Sequence, residues 1–271
     1  PDLTARTALY TIATSGIPAS VPPSCARIRE HQGRVYGVNG RRLYYSTQRV
    51  SGWAPYFPAA GFLEFSEEIR GLATQAIGLV IFGAANVWLL SGDGPGFNLQ
   101  PPWSSPRCII SGLGCLSQCS ILEWHDGIFT QTEHGIDLID KAMQVQHFSE
   151  RVAEHLAVYP VVRFVAEVAE THQVRFLCGQ PTWMGGSGYW LVWDYVHDVW
   201  SAEDAFGAWS GAYVTDRKGT VHKYAAFRYE GDVWYVTEQR GGWYDSSGIG
   251  EDEYEYYPST GIKTGSIRPG G

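Results

Sequence analysis

The stretch "GRVYGVNGRRLYYST", Gly33 to Thr47, decides the fold. It reads as two short strands of β-branched and aromatic residues joined at Asn39-Gly40, a dipeptide that readily adopts the positive φ angles of a tight hairpin turn. The pattern returns along the chain. "GLVIFGAANVWLLSG" spans Gly78 to Gly92, "DGIFTQTEHGIDLID" spans Asp126 to Asp140, and "KGTVHKYAAF" spans Lys218 to Phe227. Before the last of these, "QVRFLCG" (Gln173 to Gly179) has its partner in "GYWLVWDY" (Gly188 to Tyr195). Taking Val35, Val80, Ile128, Val174 and Val221 as anchors, the unit recurs every 45–48 residues.

Each hairpin is preceded by a further strand-like run. These are Ser24 to Gln32, Glu68 to Ala76, Gln118 to His125, Arg163 to His172 and Trp209 to Arg217. A fourth strand follows in "LEFSE" (Leu63 to Glu67) and "DVWSAE" (Asp198 to Glu203). A repeat of about 45 residues holding four short strands is the pattern of a β-propeller blade. One such sheet cannot bury both its faces alone, whereas blades packed face to face bury a continuous core. The expected fold is therefore all-β: a β-propeller of about six four-stranded blades, with five or seven also compatible.

Thr7 to Ala13 and Glu251 to Gly265 would complete the sixth blade. Residues 1–23 read as an N-terminal strand or linker that closes the ring or belongs to a neighbouring domain, and 24–271 as the propeller. The missing initiator Met and the final "IRPGG" read as cuts through a longer protein. One segment departs from the β pattern. Ser149 stands as a helix N-cap before apolar Val152, Leu156 and Val158, and Pro160 ends the run, giving one short helix between the third and fourth blades, read as a surface connector.

Composition agrees. Aromatic residues make up 14% of the chain and glycines number 32, which suits short strands and tight turns. The formal net charge of −8 argues against general attraction to nucleic acid. Five cysteines in no paired spacing point to a reducing compartment. Cys115, Cys119 and His125 form only a partial zinc set, so buried free thiols are expected there and no metal or other cofactor. No apolar run reaches the ~20 residues of a membrane span, and "PDLTARTALYTIATSG" (Pro1 to Gly16), without a basic start or a hydrophobic core, does not read as a signal peptide.

Candidate chemistry is sparse. Glycoside cleavage needs two facing carboxylates. Asp126, Glu133, Asp137, Asp194 and Glu203 are available, but each falls where a strand meets a turn, and a turn role is expected. "SGDGPGFN" (Ser91 to Asn98) departs from a sialidase Asp-box at Pro95 and Asn98 and does not repeat, and Trp193-Asp194 is a single "WD" pair. There is no nucleophile elbow, phosphate loop or His-Glu-x-x-His helix. His31, His125 and His172 hold similar places before the first core strand of their units, which suggests strand-end or turn roles. Two sets remain as candidate contact sites. Glu251, Asp252, Glu253 and Glu255 form an acidic band suited to a channel or an interface, while Trp53, Trp103, Trp183 and Trp243 are candidate loop contact aromatics.

The ordered set "RVYGVNGRRLYYS", "EEIRGLATQAIGLVIFGAANVWLLSGDGP", "SILEWHDGIFTQTEHGIDLID" and "VWDYVHDVWS" resembles the β-propeller tail proteins of tailed bacteriophages, the nozzle or packaged-DNA-stabilisation proteins. Thr264 to Ile267 with Gly270-Gly271 resembles that family's closing segment, with Ser266 where the family has Trp. The resemblance covers about Ser24 to Gly271. It implies a non-enzymatic virion component, assembled in the bacterial cytoplasm. Such a protein forms a homo-oligomeric ring, usually a hexamer, against the portal, its adaptor or other tail proteins, and carries or closes the channel for double-stranded DNA. Negative charge suits such a conduit. DNA carries one charge per ~1.7 Å and would adhere to a basic wall, whereas a like-signed wall, screened beyond ~8–10 Å, lets it slide. The alternative is a carbohydrate-binding or glycosidase-like propeller, with the loop tryptophans stacking on sugar rings.

Overall fold

In a computed structural model of the chain, residues 19–20, 24–47, 56–58, 61–92, 105–179, 189–203, 208–215, 221–228, 234–238, 245–246 and 255–256 are described. The first hairpin forms, but its two turn residues are Gly40, at φ +58, and Arg41; Asn39 ends β3 opposite Arg42 and is not at positive φ. The first sheet has the order β2 (Arg27–His31), β3 (Arg34–Asn39), β4 (Arg42–Tyr45), β6 (Phe62–Glu64); short β1 (Ala19–Ser20) pairs separately with β5 (Phe57–Pro58). The second sheet comprises β7 (Ile69–Gln75), β8 (Gly78–Gly83), β9 (Asn86–Leu90) and β10 (Arg107–Ser111). The third comprises β11 (Leu122–Trp124), β12 (Gly127–Thr132), β13 (Gly135–Asp140) and β14 (Val145–His147). The fourth comprises β15 (Val161–Val168), β16 (Gln173–Gly179), β17 (Tyr189–Asp194) and β18 (Val199–Glu203). A three-stranded sheet of β19 (Ala208–Thr215), β20 (Val221–Arg228) and β21 (Trp234–Glu238) follows, then the pair β22 (Asp245–Ser246) and β23 (Glu255–Tyr256).

The fold is thus all-β, with four four-stranded antiparallel sheets and one short α-helix among the described residues. Strands neighbour one another in chain order, as expected of the repeat. In β7, β15 and β19 the register shifts near the strand start, at Ile69/Gly71, Val162/Phe164 and Ala208/Ser210. The extra residue is Arg70, Arg163 or Trp209, and a bulge at one recurring place adds local twist in each.

The chain divides into two compact units. Pro1–Gln118, His125–Ile128 and Ile139–Gln144 form the first. Its core joins Tyr36, Val38 and Leu43 of the first sheet to Leu72, Leu79 and Ile81 of the second. Every residue of β8 is buried, which is why "GLVIFG" shows no polar alternation. Where β2 and β7 meet, Arg27 Nη1 donates to the Ile69 carbonyl at 3.1 Å. Within the first sheet, Arg41 Nε donates to the Phe65 carbonyl at 2.9 Å, just beyond the β4–β6 pairing. Among the described strands, the edge of β7 away from β8 has no strand partner at Leu72. There the Gln118 amide supplies both bonds, accepting from Leu72 N–H at 2.7 Å and donating to its carbonyl at 3.2 Å.

The second unit holds Cys119–Trp124, Phe129–Leu138 and Val145–Gly271. Its core is aromatic. Phe148 packs edge-on to Trp193 (ring centroids 4.5 Å apart) and Phe129 (5.1 Å), and Trp200 lies 5.4 Å from it. Gln131 repeats the work of Gln118. Its Oε1 accepts from Val162 N–H at 2.7 Å, and its Nε2 donates to the Pro160 carbonyl at 2.6 Å. The Phe164 ring occupies the space a side chain at Gly211 would need, so β15 and β19 approach closely.

Three local expectations are corrected. Ser149 precedes a 3-10 turn (Glu150–Val152) and α1 (Ala153–Val158), but its side chain makes no cap. Its Oγ instead accepts from Ile136 N–H at 2.8 Å, and Ser149 is buried. Val152 and Leu156 are buried as expected, whereas Val158 is 54% exposed, because the last turn of so short a helix swings it outward. The strand expected over Gln118 to His125 begins as a 3-10 turn (Gln118–Ser120), which turns Gln118 back to Leu72.

Gly78 sits at φ +151, and a Cβ there would strike the Leu90 carbonyl. Gly78→Ala should lower the unfolding free energy by about 2 kcal/mol or more, read from the midpoint of chemical denaturation.

Candidate functional site

Most residues singled out in the sequence lie outside the described residues: Trp53, Trp103, Trp183, Trp243, Glu251, Asp252 and Glu253. Glu255 falls in β23, where its backbone pairs with Ser246. Asp126 lies in a turn as expected, 2.9 Å from His125 Nε2 and 3.7 Å from Lys141 Nζ. Glu133 is exposed in the β12–β13 turn, and Glu203 ends β18. Asp194 organises the turn after β17, accepting from the N–H groups of Val196 and His197 at 3.0 Å and from His197 Nδ1 at 2.9 Å. Partial burial works to raise its pKa, but the bonds from His197 and Val196 outweigh this and hold the carboxyl below its ordinary value.

Asp137 departs from the turn role. It lies within β13, with its side chain 2% exposed. His147 Nδ1 lies 2.7 Å from its Oδ1, and Thr132 Oγ1 donates to Oδ2 at 2.6 Å. Thr132 Oγ1 in turn accepts from His134 N–H. A carboxylate only accepts, so the hydrogen of this imidazole resides on Nδ1. The His147 ring is the part of this network that water reaches, its side chain being 43% exposed. The sequence marked the place by setting a carboxylate among the apolar residues of "GIDLID".

Trp193 of the "WD" pair is a packing residue whose Nε1 donates to Asp198 Oδ1 at 3.1 Å, while Arg151 Nη1 donates to Asp198 Oδ2 at 3.0 Å. That bond, with the 3.2 Å contact of His155 Nδ1 and the Tyr189 hydroxyl, ties the helical segment to the fourth sheet at two points. Among the described residues no group of three or more His, Cys, Asp or Glu could hold a metal ion. Cys115 is buried as expected, but Cys119 is exposed. Burial pushes the Cys178 thiol up to about 12, so it stays protonated and unreactive.

The surface best suited to an interaction is the second face of the first sheet. Strand alternation turns Arg27 and Arg29 with Tyr36 and Val38 toward the core of the first unit. It leaves Ile28 and Glu30 on the opposite face with Val35, Tyr44 and Phe62. Ile28 is 68% exposed. Tyr44 and Phe62 lie 5.8 Å apart, and the Arg42 guanidinium stands 4.7 Å over the Phe62 ring and 3.8 Å from Glu64. A row of apolar side chains edged by charge is a contact surface, not a reacting centre. No family model and no curated protein matches the sequence.

His31 ends β2, as its sequence position suggests, with Nε2 buried and without a partner. Burial lowers its pKa, and Arg29 adds to this while Glu30 opposes it. The folded chain therefore favours the neutral ring. The resulting stability is full above the unfolded value of about 6.5 and is lost as pH falls from there through the folded value. His31→Gln should flatten the fall in denaturant midpoint between about pH 7.5 and 5.5; an unchanged slope would place the titration elsewhere.

Proposed function

We propose that the chain is a structural component of a bacteriophage tail, a β-propeller of about six blades that assembles as a homo-oligomeric ring and carries or closes the DNA channel. The observation that carries this reading is the repeated sheet. Four consecutive segments each form four strands in chain order. Within the units, first strands lie side by side, β2 by β7, β11 by β15 and β15 by β19. Innermost strands meeting in this way are what blades around an axis require. The ordered hairpin motifs resemble those of tail nozzle proteins, which ties the architecture to the tail. On this reading the protein works by shape and charge, without a reaction or a cofactor, in the virion and against portal, adaptor or other tail proteins.

The net charge of −8 fits a wall along which a polyanion slides. Electron microscopy of the purified assembly should reveal a ring whose central channel admits one DNA duplex. A particle that stays a monomer within intact virions would overturn the reading. Ile28→Glu gives a second test, because a closed ring of blades must cover both faces of every sheet. The expected loss of stability exceeds the roughly 0.5 kcal/mol of an ordinary surface change. An unaffected thermal midpoint would mean that this face stays in water.

A further inference from the structure

We propose that β14 is a strap, the strand of the third sheet that opens by itself, and that the Asp137–His147 pair is its catch. Burial does little to hold this strand, because Val145, Gln146 and His147 are all exposed. It lies at the sheet edge, paired only with β13 among the described strands. Immediately after it the chain is firmly fixed. The N–H groups of Phe148 and Ser149 both donate to the Ile136 carbonyl, at 3.0 and 3.1 Å. The Phe148 ring is packed among Phe129, Trp193 and Trp200. The strand is thus anchored at its far end, and the bond from His147 Nδ1 to Asp137 Oδ1 is the side-chain tie it makes itself.

The tie is strong for a physical reason. Asp137 is buried, so it needs donors, and β13 and β12 supply it only Thr132. Releasing His147 leaves one carboxylate oxygen without its donor, which opposes opening and sets its free energy. Local opening of a weakly buried edge is a low-energy event by comparison with global unfolding. When the strap lifts, the outer backbone edge of β13 beyond Ile136, around Leu138, is bared, while Phe148 and Ser149 still hold Ile136; such an edge is a surface of the kind that accepts an added strand.

Hydrogen exchange on the full chain tests this. In the unaltered protein, the amides of Val145–His147 should exchange well before those of β12 and the aromatic core, and β14 as slow as β12 would overturn the proposal. His147→Ala should speed exchange in β14 and along the outer edge of β13 by about tenfold or more, with the fourth sheet unchanged. His147→Asn, whose amide can reach Asp137 from the position of Nδ1, should restore most of the protection. Acceleration spread equally over all sheets, or failure of the asparagine variant to rescue where the alanine variant has an effect, would also overturn it. Tryptophan fluorescence confirms that each variant is folded.

Discussion

The structure depends on one constraint: a small sheet whose two faces are both apolar must be covered on both. β8 has every residue buried, and β12 likewise. A free sheet of this composition would leave several large side chains in water, at roughly 1.5–3 kcal/mol for each Leu, Ile or Phe. Face-to-face stacking of successive sheets is the direct answer, and within each unit it brings first strands together. The repeat length of 45–48 residues is the chain needed for four short strands and their turns.

Stacking leaves a second problem, since among the described strands β7 and β15 each pair on one edge alone. The solution recurs in both units. The Gln118 amide closes the edge at Leu72, and the Gln131 amide closes it at Pro160 and Val162. A primary amide offers a donor and an acceptor side by side, like a short piece of strand, so it satisfies an N–H and a C=O together. These bonds are directional, whereas apolar burial is not. They therefore fix how one sheet slides on the next, and a Leu of similar size would keep the packing while losing the register.

The central hairpins were legible because their strands are buried on both faces and their turns need special residues. Gly40 and Gly135 stand at positive φ between paired strands. Outer strands were legible only where they keep an aromatic anchor, as Trp200 does in β18. β10 and β14 lie at the rim, and "RCIIS" and "VQH" lack a burial pattern because water reaches most of both. The candidate site was less legible than the fold. Tryptophans in loops and acids near the chain end are conspicuous by type. The Thr132–Asp137–His147 network is conspicuous only by position, since its members come from three strands whose pairing has to be known first.

The buried carboxylate also bears on what polar side chains do in this fold. Asp137 is held by an exposed histidine and a hydroxyl, so its charge sits one strand away from water. Arg27 reaches across a sheet junction to the Ile69 carbonyl, and Arg41 bonds the Phe65 carbonyl within its own sheet. In each case the charged group is tied to a backbone or a strand end. Polar groups arranged in this way specify register, and packing one small sheet on the next within a unit depends on register.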